Sequence, residues 1–156
     1  SPAACPRLVL KIGSALLVDP AGEVRDDERI EAVRVALRDA FGATLPPDYA
    51  AFLAQADGLS FNGLVLYGSW QSWALPEVRG STPGYRFWQG LVEVNALWRD
   101  GPGLEACLVL GEGDMDLITV DLRGENPVVR DKVSNDVLEG FATVEDALVA
   151  MLSRRI

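Results

Sequence analysis

The stretch that decides the fold is Leu45-Pro46-Pro47-Asp48-Tyr49-Ala50-Ala51-Phe52-Leu53, continuing through Asp57-Gly58-Leu59 to Asn62-Gly63-Leu64-Val65-Leu66-Tyr67-Gly68. Its first half reads as a helix. Proline is tolerated in a first helical turn, and Tyr49, Phe52, Leu53 and Ala56 recur on one stripe, as a buried helix side requires. Asp57-Gly58 supplies the stop. In the second half Leu64–Tyr67 is a short apolar run between Gly63 and Gly68, which predicts a buried strand.

Working outward, a longer helix precedes this stretch. It begins near Asp26 and Asp27, acids suited to a helix N-terminus, carries Ile30, Val33, Leu37, Ala40 and Phe41 on one stripe, and stops at Gly42. Before it, Arg7–Val18 could hold a short strand ahead of the turn Asp19-Pro20-Ala21-Gly22. After the stretch, Ser69–Gly84 sets serines, glycines and prolines around Trp70 and Trp73 and reads as a long loop. Phe87, Leu91, Val94 and Trp98 then recur at helical spacing. Leu104–Leu110 and Leu117–Leu122 predict strands, the second with Ile118, Val120 and Leu122 on one face and Thr119 and Asp121 on the other. A further short strand surrounds Val128-Val129, with Pro127 at its edge. The last helix opens at Thr143, three residues ahead of Asp146 in a capping pattern, with Val144, Leu148, Met151 and Leu152 as its core stripe. Helices flank the strands near both chain ends with no regular βαβ alternation. That pattern predicts a single α+β domain with a mostly antiparallel or mixed sheet. Residues 25–156 form this domain, and residues 1–24 are an N-terminal extension or an edge strand.

The 156 residues are 49% hydrophobic, as a folded domain requires. No apolar run reaches the roughly 18 residues of a membrane span, and no signal peptide is visible, so a soluble cytoplasmic protein is expected. Ala3-Ala4-Cys5 could end a lipoprotein cleavage site, but Pro2 is wrong there. The two cysteines, Cys5 and Cys107, make no disulfide framework, and Cys107 reads as core filling. The net charge of −9 is not spread evenly: Asp100–Asp146 holds twelve acidic and three basic residues, and the remainder is balanced. Such a segment is a solvated face or a landing surface for a basic partner, and either reading disfavours direct nucleic-acid binding.

Much catalytic chemistry is excluded at once. The chain has no histidine, so Ser-His-Asp and Cys-His catalysis and His-ligated metal sites are ruled out. Gly111-Glu112-Gly113 follows a strand, as in a dinucleotide fingerprint, but the third glycine is missing and a strand follows where a helix should begin. Asp114-Met115-Asp116 sets two carboxylates in a turn, too few for a calcium site and read as solvated. Lys11-Ile12-Gly13-Ser14-Ala15-Leu16-Leu17 resembles the opening strand and turn of amino-acid kinases, particularly glutamate 5-kinases. In those enzymes the lysine and small residues contact phosphates. The likeness covers about a dozen residues, and the chain is too short for that whole fold, so a chance match or a gene-fusion remnant is expected. No cofactor is expected.

The quoted stretch resembles the SUKH superfamily, which includes yeast cell-wall-assembly regulators and immunity proteins of bacterial toxin systems. The family signature is an LPxDYxxFL helix, a glycine-containing turn and a strand ending in Tyr-Gly. Trp98 at a helix end, Gly111–Leu122 and Phe141-Ala142-Thr143 resemble later family features, so the likeness runs from about Ile30 to Leu152. It implies binding without catalysis: an immunity protein that grips and neutralises a cognate toxin or effector, with a regulatory scaffold as the alternative. No membrane contact is expected. Toxins that act on nucleic acid tend to be basic, so an acidic face would steer association. The candidate contacts are Trp70 and Trp73 as apolar anchors, and Glu112, Asp114 and Asp116 as the charge. The competing reading is that both tryptophans fold back over the sheet.

Overall fold

The computed structural model describes residues 22–69, 90–101 and 103–156, with the backbone alone for 22–27. The expected strand at Arg7–Val18 and the loop bearing Trp70 and Trp73 lie outside the described residues. Helix α1 spans Gly22–Phe41, four residues earlier than the acids at Asp26 and Asp27 suggested. Ile30, Val33 and Leu37 are its buried stripe. It ends where Gly42 adopts φ +65°, letting the amides of Gly42 and Ala43 turn back onto the carbonyls of Arg38 and Leu37.

Helix α2, Pro47–Gln55, starts with proline in its first turn and buries Tyr49, Ala50, Phe52 and Leu53, as the stripe predicted. Strands β1 (Leu59–Phe61) and β2 (Leu64–Leu66) follow as a hairpin. Its turn is Asn62-Gly63, with φ of +46° and +83°, the left-handed pair that matches strand twist in a two-residue hairpin. Helix α3 covers Leu91–Trp98 with Gly90 as N-cap, so Phe87 precedes it and falls outside the described residues. Strands β3 (Cys107–Glu112), β4 (Asp116–Asp121), β5 (Val128–Asp131) and β6 (Val137–Gly140) then run to helix α4 (Val144–Ser153). Thr143 caps α4 as expected, its Oγ1 accepting the Asp146 amide at 3.0 Å. Asp48 of α2 also accepts the Glu145 amide, at 3.2 Å, which ties the two helix N-termini together.

The six strands form one antiparallel sheet in chain order, β1-β2-β3-β4-β5-β6. The fold is therefore a single α+β domain. Helix α1 packs on α2 and α3, α2 on α4, and α3 on β3. One predicted detail changes: β3 starts at Cys107 and not at Leu104, which is buried in the lead-in. On β4, Thr119 is fully buried, as is Leu117. Arg130 of β5 lies across it, Nε donating to Thr119 Oγ1 at 3.1 Å, so the polar residue is satisfied under an arginine stem. Among the described residues no helix is long and apolar enough to cross a membrane.

The β2–β3 ladder runs through Val65 and Leu66, and one more backbone bond, from the Tyr67 amide to the Leu110 carbonyl at 3.0 Å, follows before the strands diverge. Two buried polar side chains fill the gap. The Tyr49 hydroxyl donates to the Tyr67 carbonyl at 2.5 Å and lies 3.0 Å from the Leu110 carbonyl. Asn95 of α3 imitates a strand: its Oδ1 accepts the Val109 amide and its Nδ2 donates to the Val109 carbonyl, both at 2.8 Å. Nδ2 also reaches the Leu91 carbonyl at 2.8 Å, so the amide is saturated.

Two stability predictions follow from this core. Phe52, 4% exposed and stacked at a tilt on Tyr49, should cost about 3–5 kcal/mol when changed to alanine, measured by urea denaturation. Asn95→Ala strands a buried amide and carbonyl of Val109 and should cost on the order of 3 kcal/mol in the same measurement. A loss under about 1 kcal/mol for Asn95→Ala would mean that water replaces the amide.

Candidate interaction surface

In an antiparallel meander every second turn lies at the same end of the sheet. The β1–β2, β3–β4 and β5–β6 turns therefore gather there, joined by the C-terminal end of α4. Contacts bear this out: the Lys132 amide donates to the Met115 carbonyl at 2.8 Å, and Asn62 Nδ2 donates to the Arg155 carbonyl at 2.8 Å. A Cβ on Gly63 would sit 3.0 Å from Asp114 Oδ1, so the first and second turns touch. Gly113 is hemmed in more tightly, because a Cβ there would lie 2.2 Å from Asp116 Oδ1 and 2.4 Å from Arg155 Nη2.

The three predicted acids meet different fates. Glu112 is paired with Lys132 at 2.7 Å, and the same ammonium donates to the Gly113 carbonyl at 3.1 Å. Asp116 faces Arg155 at 3.8 Å, with its Oδ1 buried and accepting no hydrogen bond. Only Asp114 is exposed. The turn thus does not present three free carboxylates, because Lys132 and Arg155 arrive beside it from the next turn and from the end of α4. Trp70 and Trp73 lie outside the described residues, so nothing places them against the turn. Their flanks are nonetheless held together. Gly68 bridges Gly90, the Leu91 amide donates to the Gly68 carbonyl at 2.9 Å, and Asp57 Oδ1 accepts both the amide and the hydroxyl of Ser69 at 2.6 Å. Arg29 completes this knot, 2.7 Å from Asp57 and 3.0 Å from the Ser69 hydroxyl.

Sequence reasoning missed the apolar part of this end. Met115 is 64% exposed at the tip of the β3–β4 turn, and Val133 is 83% exposed at the tip of the β5–β6 turn bonded to it. The carboxylates of Asp114 and Asp136 flank them, both exposed. Asp131 anchors the β5–β6 turn by accepting the amides of Val133 and Ser134, each at 2.8 Å, and these bonds hold its carboxyl below the usual carboxylate range. The signal that could have found this turn is Ser134-Asn135-Asp136, a run of turn formers in which Asn135 adopts φ +65°.

Elsewhere in the fold, groups of catalytic residue types are built into the core. Tyr67 is fully buried and its hydroxyl accepts the Trp98 indole N–H at 3.1 Å. Burial first, and the nearby Glu112 carboxylate second, push the Tyr67 phenol far up. Tyr49 is likewise pushed well up, mainly by burial. Cys107 is a buried free thiol. Among the described residues no group of three or more Cys, Asp or Glu is placed to hold a metal ion, and Asp114 and Asp116 gain no third partner. This end of the sheet therefore exposes both apolar side chains, Met115 and Val133, and carboxylates, Asp114 and Asp136.

No protein-family model matches the chain. A 26-residue stretch, 17% of the chain, is 77% identical to a glutamate 5-kinase of Sphingopyxis alaskensis and covers 7% of that kinase's length. It is the enzyme class that Lys11–Leu17 resembles.

The buried phenols predict a pH dependence. A phenol whose folded pKa lies above its unfolded value of 10.0 stabilises the fold fully below pH 10, and that contribution is lost as pH rises toward the folded value. Tyrosinate absorbance from Tyr49 and Tyr67 should therefore appear only together with alkaline unfolding followed by circular dichroism. Ionisation of more than one of the three tyrosines before unfolding would contradict the buried environments.

Proposed function

We propose that this chain is a non-enzymatic binding protein of the SUKH kind, acting as an immunity protein that grips and neutralises a basic toxin or effector domain. The observation that carries the reading is the sheet end, where Met115 and Val133 stand exposed among the carboxylates of Asp114 and Asp136. In an interface these side chains would supply apolar contact, and the neighbouring carboxylates a charge that steers encounter. The charge asymmetry of Asp100–Asp146 supports the same partner. Trp70 and Trp73 enter as further anchors on the segment whose flanks are knotted at Gly68 and Gly90.

A second reading rests on the kinase match. The matched 26 residues would be a fusion remnant without activity of their own, since they cover 7% of the enzyme. Purified protein should then turn over neither ATP nor nucleic acid, and an activity abolished by a point mutation in this chain would overturn the binding reading.

The direct test is to look for a toxin gene beside this one and, where one is found, to co-express the pair and measure binding kinetics on the purified proteins. Asp114→Lys should slow association several-fold at low salt, and more than Glu112→Lys, whose carboxylate already faces Lys132. Trp70→Ala or Trp73→Ala should instead speed dissociation, by about 2 kcal/mol or more if the ring is a hot spot. Unchanged rates in all of these variants, with folding intact, would place the interface elsewhere.

A further inference from the structure

Of the six strands, β6 alone has every residue exposed. It forms one side of the sheet with β5 as its strand partner, and Val137 and Leu138 are 55% and 59% exposed. Among the described strands, only β5 pairs with it. The Phe141 amide donates to the Pro127 carbonyl at 2.9 Å, which makes the adjoining Val128–Gly140 pair one of the non-hydrogen-bonded kind. The Gly140 amide and carbonyl accordingly point away from β5. Protein sheets guard such an edge with lysine, proline or inward charge. β6 has neither lysine nor proline, and its single charge, Glu139, is turned to Arg154, the residue after α4, at 2.5 Å. A Cβ at Gly140 would have Val128 Cγ1 no nearer than 4.0 Å, so the glycine is not demanded by crowding.

Charge decides what can add to this edge. Asp131 and Asp136 precede the strand, Glu139 lies in it, and the surrounding segment carries the whole net charge of −9. A second copy of the chain would set two acidic hairpins edge to edge, and a nucleic acid would bring phosphates against them. A polypeptide in which lysine or arginine alternates with apolar residues answers the outward backbone groups, the apolar side chains and the carboxylates together. We propose that β6 is a strand-addition site for a basic, alternating edge strand of another protein. The existence of a natural partner rests on the binding reading above, while the mode of contact rests on the edge itself.

The probe is a synthetic capped peptide of alternating lysine and valine, titrated into the isotope-labelled full chain and followed by amide chemical shifts. The amides of Val137–Gly140 should shift and exchange at least tenfold more slowly, and affinity should fall at least tenfold when salt rises from about 0.05 to 0.3 M. A glutamate–valine peptide, and a lysine–valine peptide N-methylated along its backbone, should leave the spectrum unchanged. The variant Val137→Lys/Leu138→Lys should melt as the parent does and lose the effect, and Gly140→Pro, which removes one outward donor, should weaken it. Shifts confined to the β1 side, equal response to the glutamate peptide, response surviving in the double-lysine variant, or no response at all would each overturn the proposal. Toxin co-expression separates the two readings. Protection that persists undiminished in the double-lysine variant rejects the edge and keeps the immunity reading. An edge that binds the peptide in a chain that neutralises no neighbouring toxin keeps the edge and rejects immunity.

Discussion

The fold hangs on backbone polar groups stranded where β2 parts from β3. A sheet that splits in the core leaves amides and carbonyls with neither a strand nor water to meet them, and each orphan costs about 1–3 kcal/mol. Tyr49 and Asn95 resolve this from opposite sides, one from α2 and the other from α3. Because each bond is directional, the two helices are held in position against the sheet and not merely pressed upon it. Tyr49 therefore has two roles in a single side chain: its ring belongs to the apolar side of α2, and its hydroxyl closes the sheet. The α2 motif is thus a device for docking a helix onto a split sheet.

The same division explains what could be read from the chain alone. Elements governed by neighbours in sequence were legible: α2 from Pro47 and its stripe, α4 from Thr143 and Asp146, β4 from its run of apolar residues. Elements governed by distant partners were not. The β1–β2 hairpin escaped notice because Leu59–Phe61 is too short for a periodic signal, although Asn62-Gly63 is itself a hairpin signature. β6 was invisible because a strand with every residue exposed has no buried alternation to detect. The burial of Thr119 was not legible because its cover, Arg130, reaches it only across the sheet.

The candidate site shows the limit most sharply. Three acids within five residues read as a naked negative patch, yet two of them are matched by cations brought from the β5–β6 turn and from beyond α4. Charge counted along a chain is a net quantity, whereas a partner senses what remains after local pairing. What remains is Asp114 beside Met115, with Val133 and Asp136 one turn away. That combination is smaller than the sequence implied and chemically more mixed, with apolar and charged side chains exposed together.

The order of strands in the sheet also sets how the molecule assembles. Since sheet order equals chain order, β3 to β6 need only close short turns to pair, and each pairing prepares the next. Joining β2 to β3 is different, because the whole span from Tyr67 to Ala106 must be looped out before Val65 and Leu66 find Glu112 and Gly111. The entropic barrier of the fold is concentrated at that seam. Contact separation therefore favours early pairing of the four C-terminal strands, with α1, α2 and the β1–β2 hairpin joined to them across that longer loop.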